Sequence, residues 1–186
     1  MQQNKKTFLG GLENPTLGQL KIYEGIDESL INQLINYANN DTLVKKFTSD
    51  AKRFKDIYSF NFWLNKGRSI YVLTDDRESL AGVIWYGESE MPTDREFISK
   101  INPKIYGVTF AIRVYDRARG KKLARQFMDK VFKAFMDSIK YNKIKNKGFW
   151  LETSEDNIPA IVLYERFGFS KVTKPDINNK VLMIKK

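Results

Sequence analysis

The feature that most constrains this sequence is a β-rich run that passes through a basic turn into a long amphipathic pattern. Tyr106 to Tyr115 is the longest run rich in β-branched and aromatic residues and reads as a strand, ending in Thr109-Phe110-Ala111-Ile112-Arg113-Val114-Tyr115. From about Gly120 to Tyr141, residues Leu123, Phe127, Val131, Phe135 and Ile139 recur at four-residue spacing, the apolar stripe of a helix. Arg117, Arg119, Gly120, Lys121, Lys122 and Arg125 crowd the junction. The first amides of a helix lack internal partners, and the helix dipole adds positive potential at that end. A strand-turn-helix with cations at the turn is therefore a ready anion site, suited to a phosphate or pyrophosphate. A helix start with a solvated basic face is the plainer alternative. A Walker loop does not occur, and a single glycine is too few for a dinucleotide fingerprint.

Composition then removes whole classes of chemistry. The chain contains no cysteine and no histidine. Disulfides, thiol nucleophiles, serine-histidine catalysis and cysteine- or histidine-bound metals are excluded, and no metal site is expected. Chemistry falls to carboxylates, tyrosine, lysine, hydroxyls and backbone amides. The 32 basic and 22 acidic residues give a formal charge of +10, which favours anionic partners. The opening MQQNKKTFLGGLENPTLG holds no apolar stretch suited to a signal peptide, and no run approaches the ~20 apolar residues of a membrane helix. A cytoplasmic location without membrane contact is the expectation.

The remaining pattern predicts a mixed α/β architecture. Residues 1–16, polar with Gly10, Gly11 and Pro15, read as a flexible N-terminal arm, and 17–186 as one domain. Leu20–Tyr23 reads as a strand. Asp27 caps a helix carrying Leu30, Ile31, Leu34 and Ile35, and a second helical stretch spans about Thr42–Leu64, with a break near Tyr58. The aromatics of that stretch (Phe47, Phe54, Tyr58, Phe60, Phe62, Trp63) read mostly as core. Ser69–Leu73 and Leu80–Tyr86 form a hairpin, and residues 87–103 an irregular connection. Phe149–Leu151 is a strand, Asn157–Phe167 a helix, and Ser170–Thr173 with Val181–Ile184 two closing strands. The order is β-α-α-β-β-β-α-β-α-β-β, with most strands sequence neighbours, so the central sheet is mixed and mostly antiparallel with flanking helices.

Arg119, Gly120, Leu123 and Ala124, with Val114 at the strand end, resemble the acetyl-CoA loop of GNAT N-acetyltransferases, Arg/Gln-x-x-Gly-x-Gly/Ala. Lys122 stands where that family has its middle glycine. Downstream, Asn157, Ala160, Leu163, Tyr164, Gly168 and Phe169 match every fixed position of the family's second hallmark, Asn-x-x-Ala-x-x-Leu-Tyr-x-x-x-Gly-Phe. Part of that match is plain helix grammar: Asn157 as cap, Ala160, Leu163 and Phe167 as buried stripe, Gly168 as stop. The resemblance covers about Ser69 to the C-terminus; the first third matches in element order only.

The resemblance implies an acetyl-CoA-dependent transferase acting on a small-molecule or protein amine by direct attack in a ternary complex. Pantetheine would lie along the strand ending at Val114, with a backbone amide of Ile112 or Arg113 facing the thioester carbonyl. The pyrophosphate would meet Arg117, Arg119, Gly120, Lys121, Lys122, Leu123, Ala124 and Arg125, and Asn157 would hold the pantetheine or acetyl end. Tyr164 is implied as the acid that protonates the departing sulfur. Glu152, Glu88 and Glu90 follow strands and are the candidates for the base, Glu152 foremost. Alanine at both Arg117 and Arg119 is expected to weaken cofactor binding without unfolding, and Lys122→Gly to cost helix propensity. Two other readings stay open. Lys140, Lys143, Lys145, Lys147, Lys171 and Lys174 admit RNA contact and a macromolecular acceptor such as aminoacyl-tRNA or a protein amine. A non-catalytic acyl-CoA-binding module is the other.

Overall fold

Three aspartates begin helices in the N-terminal half of the computed structural model. Asp27 accepts from the Leu30 amide to start α1 (Glu28–Asn40). Asp41 accepts from the Leu43 and Val44 amides to start α2 (Thr42–Phe47), and Asp56 from the Ser59 amide to start α4 (Ile57–Leu64). Between them Thr48 accepts from the Asp50 amide and opens α3 (Asp50–Arg53). The helical stretch expected over Thr42–Leu64, with its break near Tyr58, is thus three short helices, interrupted at residues 48–49 and 54–56 while Tyr58 lies inside α4. Its Thr, Ser and Asp residues bind their own backbone and interrupt the ladder. Phe54, Phe60 and Trp63 are core, whereas Tyr58 and Phe62 are 82% and 68% exposed, against expectation.

The strands are β1 (Thr7–Asn14), β2 (Gly18–Glu24), β3 (Ser69–Asp75), β4 (Leu80–Glu88), β5 (Tyr106–Val114), β6 (Gly148–Ser154), β7 (Ser170–Lys171) and β8 (Lys180–Lys185). They form a mostly antiparallel sheet in the order β1-β2-β3-β4-β5-β6-β8-β7, with β5 and β6 parallel. The remaining helices are α5 (Leu123–Met136), α6 (Ile139–Asn142) and α7 (Ile158–Arg166). The predicted helix from Gly120 to Tyr141 therefore starts later and stops at Met136, where Ser138 caps α6 by accepting from the Tyr141 amide. The structure describes residues 5–98, 100–144 and 147–186, so the first four residues of the expected arm and Lys145 of the lysine cluster lie outside them.

The expected arm is corrected over Thr7–Asn14. These residues are β1, paired antiparallel with β2 from Thr7↔Glu24 to Asn14↔Gly18. Of the glycines that suggested mobility, Gly10 serves a bulge, with the register shifting between Phe8 and Gly10 and φ +146° at Gly10, while Gly11 pairs in register with Lys21. Leu12 and Asn14 point inward.

Two compact units divide the chain: Met1–Trp85 with Ile112–Met136, and Tyr86–Ala111 with Asp137–Lys186. In the first, α1 buries Leu30, Ile31, Leu34 and Ala38, and α5 buries Leu123, Phe127, Met128, Val131, Phe132 and Phe135. Gly82 lets the chain pass close there, since a Cβ would lie 2.8 Å from the Arg113 carbonyl oxygen. In the second, Met91, Tyr106, Val172, Leu182 and Ile184 pack together with Phe97, Ile101 and Trp150.

Candidate functional site

The turn between β5 and α5 is built in the first unit. After Val114 the Tyr115 amide donates to the Ala81 carbonyl at 3.0 Å, and the Tyr115 ring stacks on Tyr37 with centroids 4.0 Å apart. A 3-10 turn over Asp116–Ala118 follows. Gly120 then adopts φ +73° and Lys122 φ +60°, both in the left-handed region, before α5 begins at Leu123. Glycine adopts that region freely, whereas a lysine there is strained. Lys122 therefore lies outside the helix, and the expected helix-propensity cost of Lys122→Gly does not apply. A Cβ on Gly120 would meet nothing within 4 Å, so the turn is open on that side. A distant residue pins it: buried Asn14 of β1 donates from Nδ2 to the Lys121 carbonyl at 2.9 Å. Its Oδ1 accepts from the Thr16 and Leu17 amides.

The cations of this region fall into two groups. Arg113 donates from Nε to Asp50 Oδ2 at 2.6 Å and from Nη2 to Oδ1 at 3.2 Å. Arg117 pairs with Asp75, and Arg119 pairs with Asp41 while its Nε donates to the Val114 carbonyl at 2.9 Å. All three carboxylates have side chains at most 8% exposed. Burial alone would push Asp50 up; the Arg113 and Arg53 guanidiniums outweigh it and hold its carboxyl below the usual range. Burial likewise opposes Asp75, and the Ser79 amide and Arg117 bring it below its ordinary value. Arg125 pairs with exposed Asp129 one turn on, at 3.0 Å. Lys121 and Lys122 carry no ion pair among the described residues. The structure thus gathers every cation of the predicted turn, but Arg117 and Arg119 neutralise buried acids. Replacing both by alanine would strand Asp75 and Asp41, so the expectation of an innocuous double replacement is corrected.

The second unit holds the other signature. Pairing of β5 with β6 runs from Tyr106↔Gly148 to Thr109↔Trp150 with one irregularity, and β5 itself continues to Val114. On α7, Tyr164 is the one fully buried residue, its ring edge-on to Phe110 at 6.1 Å and 5.9 Å from Phe169. Ala160, Leu163 and Phe167 are half-buried rather than the closed stripe expected. Gly168, at φ +92°, ends the helix: its amide reaches the Glu165 carbonyl and the Phe169 amide reaches Tyr164, a Schellman closure. Asn157 occupies the N-cap position, yet its side chain makes no capping bond and no other hydrogen bond among the described residues.

Glu152 of β6 accepts from Arg95 Nη2 at 2.7 Å, and Arg95 also pairs with Asp176. Burial pushes the Glu152 carboxyl up; Arg95 opposes this and the Asp176 charge reinforces it. Glu88 is exposed and bound by Lys147 at 2.9 Å, and Glu90 is exposed. Lys171 and Lys174 pair with Glu155 and Glu96, so three lysines of the expected basic face already have carboxylates. Among the described residues no Asp/Glu cluster could hold a metal ion, and no helix is long and apolar enough to cross a membrane.

The chain belongs to the acetyltransferase (GNAT) family, whose model matches residues 31–169. Members of this family use acetyl-CoA. No curated protein matches at a significant level. Among solved structures, the chain is similar to the spermidine N-acetyltransferase of Vibrio cholerae, determined with CoA and spermine. The two share 16% identity over 89% of this chain and 92% of that one, with a TM-score of 0.61. The GNAT domain of S. lividans PAT is 12% identical, with 95% of each chain covered and a TM-score of 0.62. Likeness at this distance shows the fold, which is the mixed, mostly antiparallel sheet with flanking helices expected from the sequence.

Proposed function

We propose that the protein is a cytoplasmic acetyl-CoA-dependent N-acetyltransferase that moves an acetyl group to a primary amine by direct attack in a ternary complex. The observation that carries the reading is the turn before α5. Its left-handed Gly120 and Lys122, the open face at Gly120 and the ion-pair-free Lys121 and Lys122 suit a pyrophosphate. Helix α5 begins at the same end with Leu123, Ala124 and Arg125, and the first amides of a helix have no partner within it. Acetyl-CoA supplies, when bound, an acetyl thioester whose C–S bond breaks as the amine nitrogen forms the new C–N bond.

The chain's own residues would do the rest. A backbone amide of Ile112 or Arg113 donates to the carbonyl oxygen, and Val114 lines the pantetheine. Asn157, whose carboxamide is not spent on its helix, holds the pantetheine or acetyl end. Tyr164 donates its phenolic proton to the leaving sulfur, and Glu152 accepts the amine proton through water, its basicity raised by burial. Purified protein given acetyl-CoA and a panel of amines should release thiol only when amine is present. Tight acetyl-CoA binding with no thiol release against any amine would instead mark a non-catalytic acyl-CoA-binding module.

A further inference from the structure

In the second unit, Glu152 shares one guanidinium with another carboxylate, and the two acids are held differently. Arg95, in the connection after β4, donates from Nη2 to Glu152 Oε2 at 2.7 Å and pairs through Nη1 with Asp176 Oδ2. Its backbone is fixed close by: Phe97 bridges to Thr173, and the Ile98 amide donates to the Val172 carbonyl at 2.9 Å. The Val172 amide donates in turn to the Leu182 carbonyl at 2.9 Å, and Leu182 of β8 pairs with Glu152 of β6. Asp176 is fixed by its own turn, where Oδ1 accepts from the Asn178 and Lys180 amides at 2.8 Å each. Both the chain and the head of Arg95 are therefore tied down, and its side chain is 18% exposed. Glu152 is more open, at 36%, and among the described residues only its Oε2 is bonded.

The surroundings push the two carboxylates apart. Burial opposes Asp176, but Arg95 and the Lys180 and Asn178 amides outweigh it and hold that carboxyl below its usual range. At Glu152 burial prevails and pushes the carboxyl up. Arg95 and Lys180 pull against it, while the charges of Asp176 and of exposed Asp94 add to the rise. Asp176 thus remains an anion where Glu152 still takes a proton. Two carboxyl groups separated in this way divide into a standing charge and a working acid or base. A carboxylate that had an arginine to itself would be a weaker base. Asp176 draws off part of that cation and leaves Glu152 oriented but still basic.

We propose that Arg95, anchored by Asp176, is a positioning residue for the transfer: it holds Glu152 by Oε2 and leaves Oε1 to the water that relays the amine proton. This rests on the reading above in which Glu152 is the base. An ion pair that served the fold alone would affect stability and leave the pH dependence of turnover where it was.

Two variants move Glu152 in opposite directions. Arg95→Gln removes the cation, so Glu152 releases its proton only at higher pH and the acid limb of kcat should move up. Asp176→Asn removes the anion while keeping a side-chain oxygen for the turn, so the limb should move down. Arg95→Lys should return the limb toward wild type but not all of kcat, because an ammonium lacks the planar fork. At saturating acetyl-CoA and amine, Arg95→Gln should lose at least about fivefold more kcat at the acid end than near pH 8. The carbon-13 resonance of the Glu152 carboxyl, assigned by its loss in Glu152→Gln, follows the same proton in the free protein. Opposite displacements of that titration in Arg95→Gln and Asp176→Asn, matched by the kcat limbs, sustain the proposal. A uniform fall in kcat with an unmoved limb overturns it. Wild-type turnover by Glu152→Gln removes the base, and the proposal falls with it. If no amine is turned over by any form, the transferase reading fails and the carboxyl titration decides alone. Opposite displacements then sustain the control of Glu152 by Arg95 and Asp176, and unmoved values overturn it.

Discussion

The turn before α5 and the helix α7 both stand out in the sequence as motifs, and they are secured by opposite means. The turn is held from outside. Asn14 grips the Lys121 carbonyl from 107 residues away, Asp41 holds Arg119 across 78, and Asp75 holds Arg117 across 42. The segment α7 is closed largely from within: Pro159 fits its first turn, Gly168 seals its end and Tyr164 anchors it to the local core. A motif closed locally keeps its shape by its own sequence. A motif held by distant partners shows its cations but not which of them are already spent.

Tyr164→Phe should show the largest effect and sharpen the α7 side of this contrast. The ring stays against Phe110 and Phe169, so stability should hold while turnover falls by about 10²–10⁴, the range for a positioned acid. Acetyl-CoA affinity should barely move. Turnover within a factor of a few of wild type would reduce Tyr164 to a core aromatic.

On the other side, Arg119→Ala should cost about 3 kcal/mol in urea unfolding, because it strands a carboxylate whose side chain is 4% exposed. The surviving folded protein should bind acetyl-CoA nearly as well as wild type. A stable variant that had lost the ligand would invert the division between spent and available cations.

Acid probes the same device at Asp50. Its folded pKa lies below its unfolded one, so the stability it contributes is complete above about pH 5 and drains as pH falls through the lower folded value. Urea midpoints measured from pH 7 down to pH 3 should fall in wild type. Asp50→Asn should start lower at pH 7 and fall less steeply; parallel curves would contradict the assignment. The smallest effect belongs to Lys122→Gly, which relieves a left-handed lysine and should raise stability by about 1 kcal/mol. Acetyl-CoA binding should weaken nonetheless, through the lost charge.

Much of the fold was legible because its signals are local. Asp27 and Asn157 mark helix starts, Leu123 to Phe135 keep a clean four-residue stripe, and β3 and β4 read as a hairpin directly. What escaped was tertiary. Two glycines made β1 look mobile, although Gly10 serves a bulge and Gly11 pairs with Lys21 in a strand fixed by β2. Nothing in the local pattern marked Asp41, Asp50 and Asp75 as arginine partners, since caps and turn acids look alike until the chain folds. Tyr58 and Phe62 read as core by composition and lie exposed, because four residues apart they share the face of α4 opposite buried Phe60 and Trp63. The unfamiliar Lys122 was visible at once; its backbone conformation was not.

In the proposed complex the cofactor's phosphates meet Lys121 and Lys122 while Arg117 and Arg119 serve the fold. Calorimetric titration of acetyl-CoA into wild type and the Lys121→Gln/Lys122→Gln double variant tests this division most directly. We expect affinity to fall by about 10–100-fold, the scale of one or two charge-assisted phosphate contacts, with the urea midpoint unchanged or raised. Unchanged affinity in that variant would place the phosphates elsewhere.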